Sequence, residues 1–187
     1  QPYAVCMSPT ADRILIHELF AECIEASRIL GIDEPLRARI AAAQAKLPPY
    51  KIGRHGQVQE WLDDYDEALP HHRHTTQLLG VFPYAQITPD ASPELAAAAR
   101  VSIERRENAP GGYEEGSWGR NLLMLYHARL GDSAAAYASL NTLFRVEGDR
   151  SLLVGTKIAP RNAYEMDYNT GATAGIAEML LQSHQGY

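Results

Sequence analysis

The side chains best suited to chemistry lie between residues 56 and 74. A carboxyl stands beside an indole at Glu60 and Trp61, and residues 71–74 read His-His-Arg-His. A carboxyl can transfer a proton, and an aromatic face can stack on the C–H groups of a sugar. Imidazole and guanidinium groups donate hydrogen bonds to hydroxyls. This combination of residue types favours a carbohydrate site.

Glu60 has the surroundings expected of a general acid. A carboxyl beside Trp61 can be partly desolvated, which raises its pKa and keeps it protonated near neutral pH. Protonation of a glycosidic oxygen needs such a group. The alternative interpretation is a solvated glutamate beside a tryptophan of the core.

The histidine cluster at residues 71–74 suggests a metal site, but its spacing argues against one. Neighbouring side chains diverge, and zinc ligands prefer wider spacings or helical i, i+4 pairs. The spacing therefore predicts no metal site, and we separately predict no organic cofactor. Arg73 and His74 are better suited to binding hydroxyls or an anion.

Asp167, Asn169 and Trp118 are the later candidates. Asp167 precedes a predicted helix, where it could be an ordinary cap, although free N–H groups there also favour an ionised carboxylate. An ionised Asp opposite a protonated Glu is the pairing used by inverting glycosidases. Trp118 opens another predicted helix, either as a packing residue or as a platform for a sugar.

Composition limits the class of protein. The chain has 187 residues, of which 45% are apolar and 21% charged, and its net charge is −6. These values fit one soluble globular domain. No stretch is rich in Lys and Arg, so we predict no nucleic-acid partner, and no apolar run is long enough for a membrane span. Two cysteines form no disulfide framework, and Cys23 is expected to be buried.

Apolar spacing predicts an all-α fold of about six helices and no convincing strand pair. Gly31 ends the first helix, Asp33 caps the second, and Asp132 caps a later one. The predicted helices cover residues 10–30, 33–46, 92–106, 117–130, 132–145 and 170–183. Residues 50–91 and 148–169 are predicted to be the loops that carry the site. The helices should form hairpins, either as an open solenoid or as a closed toroid.

Motifs along nearly the whole chain resemble one known family. They are Gln-Glu-Trp-Leu-Asp-Asp-Tyr-Asp-Glu at residues 59–67, the histidine cluster, Trp-Gly-Arg at 118–120 and Gly-Ala-Thr-Ala-Gly-Ile-Ala-Glu-Met-Leu-Leu-Gln-Ser-His at 171–184. Together they resemble glycoside hydrolase family 95, the inverting α-L-fucosidases. The resemblance implies an (α/α)6 barrel, of which residues 1–187 would form the C-terminal half. The remaining N-terminal part of the same enzyme would then be its partner.

The resemblance also implies residue roles. Glu60 would protonate the leaving oxygen, and Asp167 would polarise an asparagine that activates water. Arg73 and His74 would contact fucose. Independently of the resemblance, we predict that Trp61, Trp118 and Asn169 also belong to the substrate site.

Three departures from the family pattern bear on these roles. The chain has no Asn-X-Asn motif, Gln77 stands where a histidine is usual, and residues 167–171 read Asp-Tyr-Asn-Thr-Gly instead of Asp-Gly-Asn-Phe-Gly.

The expected activity is inverting removal of terminal α-L-fucose, α-1,2-linked to galactose, from oligosaccharides or polysaccharides such as xyloglucan. An α-L-galactosidase on the same fold is one alternative. A non-catalytic helical binding module derived from a hydrolase is the other. The expected location is periplasmic or secreted.

Overall fold

The computed structural model describes residues 7–114, 116–148, 155–156, 163–164 and 166–184. Within these residues the chain forms six α-helices: α1 (Thr10–Leu30), α2 (Glu34–Gln44), α3 (Pro93–Glu107), α4 (Ser117–Arg129), α5 (Ser133–Thr142) and α6 (Met166–Leu180). The predicted all-α class is confirmed, whereas closure into an (α/α)6 barrel stays a prediction. None of the described helices is long and apolar enough to cross a membrane.

Short elements interrupt the helical pattern. A 3₁₀ turn covers Thr76–Leu78, and α5 continues into a π-helical turn at Leu143–Glu147. Two antiparallel strands of two residues each, β1 (Gly155–Thr156) and β2 (Ala163–Tyr164), pair with each other. The prediction of no strand pair was therefore wrong here, because two residues are too few to produce an alternating pattern. Much of the predicted site loop 148–169 lies outside the described residues.

The helix ends show which capping signals were read correctly. Gly31 ends α1 in a left-handed conformation with φ 67°, and Asp132 Oδ1 accepts the N–H of Ala135 at 2.9 Å. Asp33 makes no side-chain cap bond to α2 and has a positive φ itself. A side-chain hydrogen bond thus defines the predicted cap at Asp132, whereas backbone geometry alone defines the one at Asp33.

Close helix contacts depend on glycine at one face of α6. Helix α6 packs against α4 and α5, while α1 packs against α2. A Cβ on Gly175 would collide with Met124 Cε, and one on Gly171 would lie 2.6 Å from Asn121 Nδ2. Since real Cβ atoms do not approach so closely, these glycines allow α4 and α6 to meet at short range. The predicted hairpin packing is present in α1–α2 and α4–α5.

The main core lies between α3, α4 and the irregular segment that joins α2 to α3. It contains Val58, Leu78, Val81, Ile87, Ala96, Ala98, Ala99, Ile103, Leu123, Tyr126 and Leu130. The loop thus supplies four apolar side chains to the core. Burial of apolar surface fixes the loop on the two helices, so the polar groups it carries have defined positions.

Helix α1 turns a different face inward from the one its apolar pattern predicts. Ile14 and Ile24 are buried, whereas Leu15, Leu19 and Cys23 are exposed. The prediction of a buried Cys23 was therefore wrong. The inward face of α1 also includes Thr10 and Arg13. Their side chains donate to backbone carbonyls of the segment between α2 and α3. These polar contacts therefore help to set the orientation of α1.

Candidate active site

Helix α3 fixes the segment that carries Glu60. Ser102 Oγ accepts the N–H of Val58 at 2.9 Å, and Arg106 Nη2 donates to Glu60 Oε2 at 3.4 Å. Four residues of helix advance about 6 Å, and two residues of extended chain advance about 6.6 Å. The two contacts therefore match in spacing, and residues 58–60 run along one turn of α3.

The first turn of α1 holds the same segment from another side. The N–H of Thr10 donates to the carbonyl of Glu60 at 2.9 Å, and its hydroxyl donates to the carbonyl of Gln59 at 2.5 Å. Gln59 N–H also donates to the carbonyl of Lys51 at 2.9 Å. With its backbone bonded to α1 and its side chain to α3, Glu60 has little freedom to move.

Glu60 lies in an environment that favours the protonated form of its carboxyl. Its side chain is 24% exposed. Burial raises the pKa of Glu60; the positive charges of Arg106 and His72 lower it, and the negative charge of Glu67 raises it further. The net direction is upward, because removing a carboxylate from water disfavours its charged form more than these cations favour it. A carboxyl of this kind can act as a proton donor.

The aromatic residue beside the acid is held by a second ring. Trp61 is half-buried and meets Tyr65 edge-on, with ring centroids 6.3 Å apart and an interplanar angle of 68°. T-shaped aromatic pairs are favourable and directional. The indole next to Glu60 thus has a defined orientation, as a stacking platform for a sugar would require.

Glu114 organises the histidine cluster. Its Oε2 lies 2.5 Å from His72 Nδ1 and accepts the N–H of Arg73 at 3.3 Å, while Oε1 accepts from Arg73 Nη1. The N–H of Glu114 donates to the carbonyl of His71 at 2.8 Å. Through its carboxylate and its N–H, Glu114 therefore joins the loop after α3 to three consecutive residues of the cluster.

His74 completes the cluster as an exposed imidazole. Its ring centroid lies 4.6 Å from that of His72. Partial desolvation lowers the pKa of His74, and the charges of His72 and Arg73 lower it further. A neutral imidazole can both donate and accept, which suits a sugar hydroxyl. In the part of the chain that the structure describes, no group of three His, Cys, Asp or Glu side chains is placed to hold a metal.

The first turn of α4 lies between the histidine cluster and α6. A Cβ on Gly119 would lie 2.9 Å from Arg73 Cβ, and Asn121 Nδ2 donates to the carbonyl of Tyr168 at 2.7 Å. Trp118 is 37% exposed, and at about 100° per residue its side chain leaves the helix between these two contacts. Arg73, Trp118 and the start of α6 therefore gather around one end of α4.

Asp167 and Asn169 lie in the first turn of α6. Asp167 is exposed and Asn169 is half-buried. Within the described residues, no hydrogen bond or ion pair connects Asp167 with Glu60, so a common site for the two carboxyls stays a prediction. Two cavities of about 340 and 260 Å³ lie beside α1 and α2, and neither is lined by these residues.

Comparison with known proteins decides the family. The model of the glycosyl hydrolase family 95 catalytic domain matches residues 1–180. The chain belongs to glycosyl hydrolase family 95. The resemblance inferred from its motifs is thereby confirmed.

Two curated relatives of this family 95 chain are named as fucosidases. "Alpha-L-fucosidase 2" of Arabidopsis thaliana is 36% identical over 98% of the chain and 22% of its own length. "Probable alpha-fucosidase A" of Aspergillus oryzae is 25% identical over 89% of the chain and 24% of its own length. The chain thus spans between a fifth and a quarter of these relatives.

The family 95 motif at residues 167–171 departs from its usual pattern in a way that packing explains in part. Tyr168, which replaces a glycine, packs against a small cluster of Leu143, Phe144 and Ala172. Its side chain therefore contributes to the contact between α6 and the end of α5. Gln77, which replaces a histidine, is buried at 3% exposure.

Two further residues of the candidate site were not predicted from the sequence. Arg106 pairs with Glu60, and Glu114 pairs with Arg73. Arg106 could have been found, because it continues the buried stripe of Ala99 and Ile103 on α3, and a buried cation needs an anionic or carbonyl partner. Glu114 has no such signal, since it lies 41 residues along the chain from Arg73.

Proposed function

We propose that the protein to which this chain belongs removes terminal α-L-fucose, α-1,2-linked to galactose, from oligosaccharides or polysaccharides such as xyloglucan, with inversion at the anomeric carbon. Family membership and the names of its relatives support a glycosidase that acts on fucosides. The observation that carries the proposal is the state of Glu60, a half-buried carboxyl beside Trp61 whose pKa is raised by burial.

The proposed reaction is a single displacement. Glu60 gives its proton to the glycosidic oxygen as the bond to the anomeric carbon breaks, and water attacks the opposite face of the sugar. Asp167 polarises an asparagine side chain supplied by the preceding part of the protein, and that amide takes a proton from the water. Neither step requires a metal or an organic cofactor.

The remaining candidate residues would bind the sugar. Arg73 and His74 would donate to fucose hydroxyls, and Trp61 and Trp118 would offer aromatic faces to its C–H groups. Asn169 lies in the same turn as Asp167 and would bind a further hydroxyl. We place the enzyme in the periplasm or outside the cell, where it would meet such glycans.

The decisive experiment replaces Glu60 by glutamine in the complete protein. Glu60→Gln should reduce kcat on an α-1,2-fucosylated disaccharide by about 10²- to 10⁴-fold, because it removes the general acid. Hydrolysis of α-L-fucosyl fluoride should change little, since fluoride leaves without a proton. Near-normal activity on the disaccharide would remove Glu60 from the acid role.

Substrate class has its own test with the unaltered protein. An aryl α-L-fucoside should be hydrolysed faster than the matching aryl α-L-galactoside. The opposite preference would replace fucose by L-galactose as the sugar recognised. Binding of fucosylated glycans without hydrolysis of either compound would instead favour a non-catalytic module.

A further inference from the structure

Arg106 is an unusually enclosed arginine. Only 4% of it is exposed, and it lies on the inward face of α3. Its Nη1 donates to the carbonyl of Leu69 at 2.6 Å, while Nη2 faces Glu60 Oε2 at 3.4 Å. A guanidinium is planar and rigid, so the bond to Leu69 fixes the direction in which Nη2 points.

The neighbouring arginine shows what an ordinary structural pair looks like in the same turn. Arg105 makes two hydrogen bonds to Glu67, at 3.3 and 2.7 Å, and its side chain is 30% exposed. By contrast, the Arg106 contact engages only Oε2 of Glu60. Among the described residues, no hydrogen bond occupies Oε1 of that carboxyl.

An arginine can donate hydrogen bonds but cannot accept them. The oxygen that faces Arg106 must therefore act as an acceptor, and when Glu60 is protonated its hydrogen lies on Oε1. The guanidinium thus decides which of two chemically equal oxygens carries the proton.

We propose that Arg106 is a positioning residue for the general acid, holding Oε2 so that the proton of Glu60 sits on Oε1 and is directed to the glycosidic oxygen. This inference rests on the proposed role of Glu60. It adds that proton transfer depends on a buried cation of α3 that does not touch the sugar.

The same contact predicts how activity responds to pH. Three charged groups act on Glu60: Arg106 from α3, and Glu67 and His72 from the loop. Loss of Arg106 removes the largest influence that lowers the pKa of Glu60, so that pKa should rise. The acid works only when it is protonated. The alkaline limb of the profile of kcat against pH should therefore move to higher pH.

The test uses Arg106→Met in the complete protein, with Arg105→Met as the matched control. For Arg106→Met we expect kcat on the fucosylated disaccharide to fall by about 10- to 100-fold through misplacement of the acid. The alkaline limb should move upward, and turnover of α-L-fucosyl fluoride should stay within a few-fold of the original. Arg105→Met should move the alkaline limb less than Arg106→Met does, because Arg105 reaches Glu60 only through its partner Glu67.

Arg106→Lys provides an independent measurement if the methionine variant fails to fold. Lysine keeps the charge but lacks the fork that bonds Leu69 and Glu60 together. We expect the limb to stay in place, with reduced kcat on the disaccharide and little change on the fluoride.

Two results would overturn the inference. One is an equal loss on both substrates in either Arg106 variant. The other is an unmoved alkaline limb in a folded Arg106→Met protein whose Glu60→Gln counterpart is inactive on the disaccharide. A fully active Glu60→Gln protein would instead defeat the proposed function itself.

Discussion

Glu114 offers the clearest test of how the proposed sugar-binding residues are held. Glu114→Gln keeps the shape of the side chain and removes its charge, so the bonds to His72 and Arg73 weaken together. Both partners and Glu114 itself are about one-third exposed, at 32%, 28% and 35%. The free-energy contribution of each contact should therefore lie between that of an exposed ion pair, roughly 0.2–1 kcal/mol, and that of a buried charged hydrogen bond, roughly 1.5–3 kcal/mol.

We call the contacts of Glu114 with His72 and Arg73 the clamp. Together they should stabilise the ordered conformation of the cluster by about 1–3 kcal/mol. If Arg73 binds fucose, the loss should lower kcat/KM by about 5- to 150-fold. The melting temperature should change little, because one surface segment is loosened locally. Steady-state kinetics on the fucosylated disaccharide and a thermal melt, both with the complete protein, measure the two quantities.

Asp66→Asn is a matched control. Asp66 also joins a histidine and an arginine, His55 and Arg54, but these contacts are exposed and include no residue of the histidine cluster. It should leave kcat/KM unchanged. Equal effects of the two substitutions, or an unaffected kcat/KM in Glu114→Gln, would refute the clamp.

The clamp also has a pH signature in the unaltered protein. The hydrogen bond from His72 and the charges of His72 and Arg73 lower the pKa of Glu114. The stabilisation of the cluster by ionised Glu114 is therefore present above the ordinary glutamate pKa, and it is lost as pH falls through the lowered pKa. Sugar binding should weaken in that acid range, and Glu114→Gln should abolish this part of the pH dependence.

Two further predictions concern the contacts of α4. Gly171→Ala should lower the free energy of unfolding by about 1–3 kcal/mol despite the better helix propensity of alanine, because its Cβ would meet Asn121 Nδ2 at 2.6 Å; a higher thermal midpoint would contradict the close packing of α4 and α6. Tyr126→Phe should cost about 1–2 kcal/mol in denaturant unfolding, because it removes the hydroxyl that Thr75 bonds at 3.2 Å. An unchanged unfolding midpoint would count against that buried contact.

Local signals were sufficient for most of the helices. Glycine in a left-handed conformation ends α1 at Gly31, and Asp132 caps α5 through its own side chain. Each signal acts within a few residues, so it can be read without knowing the fold. The face that α1 turns inward could not be read this way, since the bonds of Arg13 to the carbonyls of Pro48 and Pro49 decide it.

The residues of the candidate site also fall into those that the local sequence indicates and those that only tertiary packing brings together. Residue types alone drew attention to Glu60, Trp61 and Arg73, because these side chains are suited to chemistry wherever they lie. Their partners Arg106 and Glu114 come from elements 46 and 41 residues away and depend on tertiary packing. A sequence motif can thus point to a candidate acid without identifying the charged partner that acts on its pKa.

The two halves of the site are supported by different parts of the fold, and this has a mechanistic consequence. Glu60 is held by α3, which buries Ala99 and Ile103, and by the first turn of α1, which buries Thr10 and Arg13. The histidine cluster is held by the loop before α4, through the carboxylate and N–H of Glu114 and the hydroxyl of Tyr113. Local opening of that loop would release Arg73 while the acid stayed in place. Changes near Glu114 should therefore act mainly on substrate binding, and changes on α3 mainly on proton transfer.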